Sequence, residues 1–180
     1  MMARKIGFAL LILILSTVLL LNQPYFATAR EEIHVDQITE YSGETYGITY
    51  GIFVEGDYAY VATSSGLEIS DVSDPTDPKA SVLEETAYFA QDVVVVGDYA
   101  YVTQLGGGVA IIDITDPTNP SAPVYRYTTG TSHDICVDGN YAYIADGPSG
   151  LAIIDISDPT NPIEVGQIDN GNAYNVYVSG

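Results

Sequence analysis

The chain has 180 residues and carries 24 acidic against 5 basic residues, so its formal net charge is −19 at pH 7. A surface of this charge repels phosphate groups, which excludes nucleic acid and anionic lipid as expected partners. The chain has a single cysteine, Cys136, which excludes a small fold built on intramolecular disulfides.

The N-terminal segment has the three parts of a secretory signal peptide. Two basic residues precede an apolar run over residues 6–21, and small residues at 27–29 resemble a cleavage site. The alternative is an uncleaved anchor, although a bilayer span needs about 20 apolar residues. We expect cleavage after residue 29, no stable membrane insertion afterwards, and a secreted or cell-surface protein. Cleavage leaves three basic residues and a formal charge of −21.

Beyond this leader, one sequence unit occurs three times. The copies begin at Gly56, Gly97 and Gly139, and a fourth begins at Gly180, so the steps are 41, 42 and 41 residues. The second copy reads GDYAYVTQLGGGVAIIDITDPTNP, and the third reads GNYAYIADGPSGLAIIDISDPTNP. Self-similarity at a fixed period of this length indicates a repeat architecture.

Each unit predicts four short strands, A to D, separated by Gly, Pro, Asn and Asp. Strand A, at residues 92–96 of the second copy, is apolar on both faces, and a Gly-Asp turn leads into strand B. Strand B places both tyrosines of Tyr-Ala-Tyr on one face, because side chains alternate along a strand. A Gly-rich hairpin leads to strand C at residues 109–114. An Asp-Pro turn then precedes strand D, a polar edge strand at residues 124–128.

The strand pattern predicts an all-β fold, because no segment after residue 29 has the apolar period of a helix of useful length. Four antiparallel strands every 41 or 42 residues are typical of a β-propeller blade. A single-sheet solenoid is the alternative, although its repeats are commonly shorter or include a helix. We expect one β-propeller domain of four-stranded antiparallel blades over residues 30–180. Its blades would span about residues 44–86, 87–129 and 130–171.

The segments GLAIIDISDPTNP and GNYAYIAD are similar to the LVIVD repeat, and the resemblance covers nearly all of residues 33–180. LVIVD repeats occur in secreted or surface proteins of bacteria and archaea and are taken to form β-propeller blades. The resemblance therefore implies a propeller outside the cytoplasm. It implies no catalytic activity.

The number of units predicts that the chain is a C-terminally truncated fragment. Residues 31–40 align with strand D of the third copy, as the outer strand of a closing blade would, and residues 172–180 supply the start of the next unit. Within that start, residues 176–178 are the counterpart of strand A, so we expect a strand there. Closed propellers have roughly four to eight blades, and only three complete units are present. We expect the full-length protein to be monomeric.

The start of strand A gives the candidate binding site, because propellers place ligands near the mouth of the central channel. The rim candidates are Tyr50, Asp92, His133, Asp134 and Asn175. A second interpretation is structural, in which the aspartates and the asparagine bond to the backbone of a neighbouring strand. A third interpretation takes His133 and Asp134 as an acid–base pair.

Paired aspartates around the end of strand C are the candidate metal ligands. Asp113 and Asp116 in the second copy, and Asp155 and Asp158 in the third, place carboxylates three residues apart. Calcium prefers several oxygen ligands, but the spacing of a calcium-binding loop is absent. The same aspartates can instead hydrogen-bond the turn backbone. We expect no cofactor, with calcium at these aspartates as the alternative.

Two further features concern packing. The tyrosine pairs resemble a stacking platform for sugars or bases, but their constant place in each unit favours packing between blades. In the first copy, Glu68 and Ser70 replace apolar residues of strand C, which predicts a wetter face or a seam.

The function expected from these features is a binding or interaction scaffold, because the repeat is devoted to architecture and carries no catalytic motif. Its ligand would be a protein or a glycan. The alternative is a propeller enzyme, of hydrolase or lyase type, whose site lies at the channel mouth and is partly missing from this chain.

Overall fold

The computed structural model describes residues 47–169 and 171–179. Over these residues the chain forms twelve β-strands, and no helix among them is long and apolar enough to cross a membrane. The predicted signal peptide at residues 1–29 and the predicted closing strand at residues 31–40 lie outside the described residues.

The twelve strands form three four-stranded antiparallel sheets, each made of consecutive strands. Blade 1 contains β1 (Thr49–Glu55), β2 (Tyr58–Thr63), β3 (Gly66–Asp71) and β4 (Val82–Glu85). Blade 2 contains β5 (Ala90–Val96), β6 (Tyr99–Gln104), β7 (Val109–Asp113) and β8 (Val124–Arg126). Blade 3 contains β9 (Asp134–Asp138), β10 (Tyr141–Ala145), β11 (Leu151–Asp155) and β12 (Ile163–Ile168). The predicted all-β fold of propeller blades is confirmed.

Glycine sets the turn between the first two strands of every blade. Gly56, Gly97 and Gly139 have φ of 57°, 59° and 56°, in the left-handed region that favours glycine. A Cβ at any of the three would meet nothing within 4 Å. The backbone conformation, rather than crowding, therefore accounts for glycine at these turns.

The blades pack face to face, with the tyrosine face of one blade against the alanine face of the next. Tyr60 of blade 1 clusters with Ala100 and Val102 of blade 2. Tyr101 of blade 2 clusters with Ala142 and other residues of blade 3. Large rings thus lie against a face kept flat by small side chains, and burial raises the pKa of both tyrosine hydroxyls. The predicted packing role of the tyrosines is confirmed for blades 1 and 2, whereas Tyr141 of blade 3 is 41% exposed.

The alanine face of blade 1 differs from its counterparts, as the sequence predicts. Glu68 and Ser70 are half-buried on β3, whereas Ala110 and Ile112, at the equivalent positions of β7, are fully buried between blades 1 and 2. Burial raises the pKa of Glu68, although a hydrogen bond from Ser81 lowers it in part. A carboxylate is tolerated here because this face is wetter than the two interfaces between blades.

The connections of each blade fall at two ends, because strand direction alternates. One end, the loop face, carries the starts of the first strands, the hairpins between second and third strands, and the connections between blades. The other end, the turn face, carries the Gly-Asp and Asp-Pro turns. The first strands β1, β5 and β9 contact one another in sequence, so their starting residues are neighbours on the loop face.

The strand predicted at residues 176–178 is not formed. Residues 174–179 have no regular secondary structure, and Ala173 makes only an isolated bridge to Gly147. A strand requires a hydrogen-bonded neighbour, and none of the described strands pairs with this segment.

Candidate functional site

The predicted rim residues lie at the loop-face ends of the first strands and just after blade 3. Tyr50 lies on β1 with 42% of its surface exposed, and Asn175 is also exposed. Asp92, His133 and Asp134 are half-buried. The fold therefore places all five at one end of the molecule, on successive repeat positions.

The two rim aspartates link neighbouring repeats. The backbone N–H of Ile135 donates to Asp92 Oδ2 at 3.3 Å, and the N–H of Val176 donates to Asp134 Oδ2 at 2.7 Å. In each case the carboxylate binds the first-strand segment of the following repeat. This geometry matches the structural interpretation of these aspartates.

Gly51 occupies the corresponding position in blade 1. A Cβ at Gly51 would lie 2.8 Å from Asp92 Cα, so the start of β1 passes too close to β5 for any side chain. The absence of a side chain here allows the close approach of blades 1 and 2.

His133 is brought into contact with Tyr174. Their ring centroids are 5.0 Å apart with an interplanar angle of 47°, and the His133 backbone N–H donates to the Ala145 carbonyl at 2.9 Å. The pair places one titratable ring and one exposed tyrosine together at the end of blade 3. Tyr50, on β1, and Asn175, in the irregular segment after blade 3, are both exposed.

The calcium candidates lie on the turn face, away from the rim. Asp113 Oδ1 accepts the backbone N–H and the hydroxyl of Thr115 at 2.9 and 2.6 Å, and these bonds lower the Asp113 pKa. Asp116 is bonded in the same way by Thr118, with the same effect on its pKa.

In the third copy, Asp155 accepts the N–H of Ser157, and Asp158 accepts the N–H and hydroxyl of Thr160. Among the described residues, no three acidic, histidine or cysteine side chains meet as a metal site would require. The contacts of these aspartates are those of turn residues.

A buried polar position at the end of the second strand was missed as a feature of the repeat. Thr63, Gln104 and Asp146 occupy it in the three blades, and all three are buried. Gln104 Oε1 accepts the N–H of Tyr88 at 3.1 Å, which attaches the blade 1 to blade 2 connection. The sequence signal was a polar residue at a constant offset after each Tyr-Ala-Tyr.

Asp146 is the most connected of the three. Its Oδ1 accepts the hydroxyls of Thr128 and Ser132, each at 2.7 Å, and its Oδ2 accepts the N–H of Gly130 at 2.9 Å. The Ser132 hydroxyl oxygen also accepts the N–H of Gly108 at 2.6 Å. The first residue of the hairpin between β10 and β11 therefore fixes the connection between blades 2 and 3.

An aromatic groove on the loop face was also missed. It has a volume of about 500 Å³ and lies where the blade 1 to blade 2 connection meets the second hairpin of blade 2. Its lining residues are Ser64, Thr86, Ala87, Tyr88, Phe89, Leu105 and Gly106. Tyr88 is 50% exposed and Phe89 is 53% exposed, so the groove presents aromatic surface to solvent.

Two further tyrosines support this aromatic groove from blade 2. The ring of Tyr127 contacts that of Tyr88 edge-on, at 6.4 Å and 86°, and stacks on Tyr125 at 5.7 Å and 6°. The Tyr125 hydroxyl accepts the N–H of Ala87 at 3.1 Å. A Cβ at Gly106 would overlap the Tyr88 ring, so the absence of a side chain at Gly106 allows that ring to pack there.

The surroundings of the aromatic groove are acidic. Glu84 and Glu85 directly precede its wall, and the pKa of Glu84 is raised by burial and by the charge of Glu85. No basic side chain lines the groove. The basic side chains in the described part of the chain, Lys79 and Arg126, contact Asp77 at 2.6 Å and Glu164 at 3.4 Å.

The family model and one solved structure agree with this architecture. The model of the LVIVD repeat matches residues 46–82, 89–129 and 129–170. The chain is similar to the crystal structure of the computationally designed Ika4 protein, with a TM-score of 0.59 and 8% identity, over 77% of this chain and 84% of that one. Apo AztD from Citrobacter koseri also matches, with a TM-score of 0.35 and 14% identity, over 71% of this chain and 48% of AztD. No curated protein matches the sequence.

Proposed function

Because the chain belongs to the LVIVD repeat family, we propose that it is an extracellular or cell-surface β-propeller repeat protein that acts as a binding scaffold through its loop face. The proposed location outside the cytoplasm rests on the signal-peptide pattern of residues 1–29. The proposed ligand is a protein or a glycan.

The aromatic groove is the observation that carries this proposal. Exposed aromatic side chains are enriched at binding sites, because they bury a large area at a low cost in conformational entropy. Tyr88, Phe89 and Leu105 are all more than a third exposed at one groove. They stand on connections of a rigid sheet framework, where binding residues are commonly found.

The contacts at the rim favour binding over catalysis. Asp92 and Asp134 accept backbone hydrogen bonds that join successive repeats, so neither is positioned chiefly as a proton acceptor for a substrate. His133 packs against the ring of Tyr174 rather than forming an acid–base pair of the triad type. We therefore propose a scaffold and not an enzyme.

The test uses the full chain, immobilised and screened against a glycan array and a displayed library of extracellular proteins. We expect a ligand whose affinity falls at least about tenfold in Leu105→Ser, which is the loss of one well-packed contact. The matched control is Asn119→Ala on the turn face, which should bind as the wild type does. The proposal fails if both screens give no ligand, or if binding survives Leu105→Ser and is lost in Asn119→Ala.

A further inference from the structure

The geometry points to an arginine side chain of a partner protein as the group that the aromatic groove binds. This inference rests on the proposed function for the location of the site and adds the chemistry of the ligand. It is carried by the exposed aromatic rings, by the absence of a basic side chain from the groove lining, and by two glutamates, Glu84 and Glu85, that directly precede the lining segment in the chain.

Aromatic and aliphatic side chains line the aromatic groove. Tyr88 and Phe89 contribute aromatic surface to the lining and Leu105 contributes aliphatic surface, and the Leu105 N–H donates to the Phe89 carbonyl at 2.9 Å. A guanidinium group over an aromatic ring is attracted by the negative face of the ring, and it is the most frequent partner in such contacts. Its planar shape also stacks on a ring, which an ammonium group does not do.

The charge near the aromatic groove is negative. Glu84, on β4 shortly before the connection that lines the groove, is half-buried, and burial and the charge of Glu85 raise its pKa. Burial raises the pKa of Tyr125, and the Glu84 charge adds to the effect, so this carboxylate acts on the aromatic cluster. A cation at the groove would relieve the repulsion between Glu84 and Glu85. Arginine can also bind a carboxylate through two parallel hydrogen bonds.

A neutral sugar fits the aromatic groove poorly, because few hydroxyls of the lining are free to bind it. The Thr86 hydroxyl donates to the Tyr88 carbonyl at 2.7 Å, and the Ser64 hydroxyl oxygen accepts the N–H of Ile48 at 3.0 Å. The two aliphatic hydroxyls of the lining, those of Ser64 and Thr86, are therefore engaged with the backbone, and the Tyr88 phenol is the third hydroxyl of the lining. The groove offers stacking surface and negative potential more than it offers hydrogen bonds.

The open shape of the groove suits a cation that is carried by a protein side chain. The groove is an open surface feature formed between two connections, and a protein side chain can enter it while its backbone remains outside. The chain carries a large negative charge, which steers a basic protein towards it and repels anionic membrane surfaces.

The experiment is an NMR titration of the isotope-labelled full chain with three short peptides that differ at one position. The position holds arginine, lysine or citrulline, the last being a neutral analogue of arginine. The arginine peptide should shift the amide signals of residues 86–89 and 105–106, and the citrulline peptide should bind at least about tenfold more weakly. Arginine should also bind more tightly than lysine, and the difference should persist at physiological salt, since desolvated contacts are less screened.

Variants locate the contact. Tyr88→Leu keeps an apolar side chain but removes the ring, and it should weaken arginine binding about 2- to 30-fold. Phe89→Leu provides a second ring deletion if Tyr88→Leu lowers the melting temperature. Glu84→Gln should weaken binding about threefold or more, whereas Tyr177→Leu, at a 71% exposed tyrosine outside the groove, should leave it unchanged.

Equal binding of the arginine and citrulline peptides would overturn the inference, as would equal binding of arginine and lysine or shifts spread over the whole acidic surface. The scaffold proposal would survive such a result if a ligand from the earlier screens still required Leu105. The two proposals therefore fail on different measurements.

Discussion

Replacing Asp146 with alanine is expected to lower the free energy of unfolding by about 2–4 kcal/mol. Asp146 is completely buried and accepts three hydrogen bonds, from the Thr128 and Ser132 hydroxyls and the Gly130 amide. Alanine leaves all three donors without this acceptor. Ser132 is also completely buried, so its lost bond carries the full desolvation cost, whereas the half-buried Thr128 and Gly130 can be partly rehydrated.

Asp146→Asn is the matched variant. Its amide oxygen can still accept the two hydroxyls, but its NH₂ group would face the Gly130 amide, so we expect a smaller loss of about 1–2 kcal/mol. Urea unfolding followed by circular dichroism gives both values, provided that the slope m is unchanged. Amide hydrogen exchange at Gly130 should accelerate in both variants. A loss below about 1 kcal/mol in Asp146→Ala, or equal losses in the two variants, would refute this account of the network.

The remaining predictions concern packing, turns and pH. Tyr101→Ala should lower the free energy of unfolding by about 3 kcal/mol in urea titrations, because Tyr101 is 3% exposed between blades 2 and 3. The control Tyr177→Ala should change it by no more than about 0.5 kcal/mol. Equal losses in the two variants would contradict the packing of Tyr101 between blades. Gly56→Ala should lower the free energy of unfolding by about 1–2 kcal/mol, because φ at this position is +57°. Gly56→Asn should lower it less, since asparagine tolerates this conformation better. A calorimetric scan in which Gly56→Ala melts as the wild type does would count against backbone strain. Thr115→Val should raise the Asp113 pKa towards its ordinary value, as measured by carbon NMR titration of the carboxyl group. A carboxyl group whose pKa is lower in the folded than in the unfolded state contributes stability above the unfolded pKa, and this contribution is lost as the pH falls through the folded pKa. Thr115→Val should therefore lose less stability than the wild type on acidification below about pH 4. An unshifted Asp113 titration in this variant would contradict the role of the Thr115 hydroxyl.

Local chemistry explains why the blades could be predicted. Alternation of side chains in Tyr-Ala-Tyr, glycine at a left-handed turn, and aspartate before Pro in the next turn each act within a few residues. The three copies repeat these signals at a nearly constant period, so the four strands and their order follow from the chain itself. The strand predicted at residues 176–178 was wrong because a strand also depends on a neighbour, which its own residues do not provide.

The rim was only partly predictable. Its residues could be placed at one end of the molecule from the repeat alone, and a backbone-binding role for Asp92 and Asp134 was one of the interpretations. The choice of acceptor atom and partner, such as the Val176 amide on Asp134 Oδ2, depends on how closely consecutive repeats approach. That distance is set by packing between sheets, and Gly51 contributes to it by having no side chain.

The sequence by itself determined the family, the all-β fold, the turns and the packing role of the tyrosines, because each of these is encoded within one unit and copied. Only the tertiary structure decided where the departures from the repeat meet. Ser64, between β2 and β3 of blade 1, and Leu105, between β6 and β7 of blade 2, line one groove because the two blades pack face to face. Period and local pattern carry no information about such meetings, since they depend on the relative position of whole sheets.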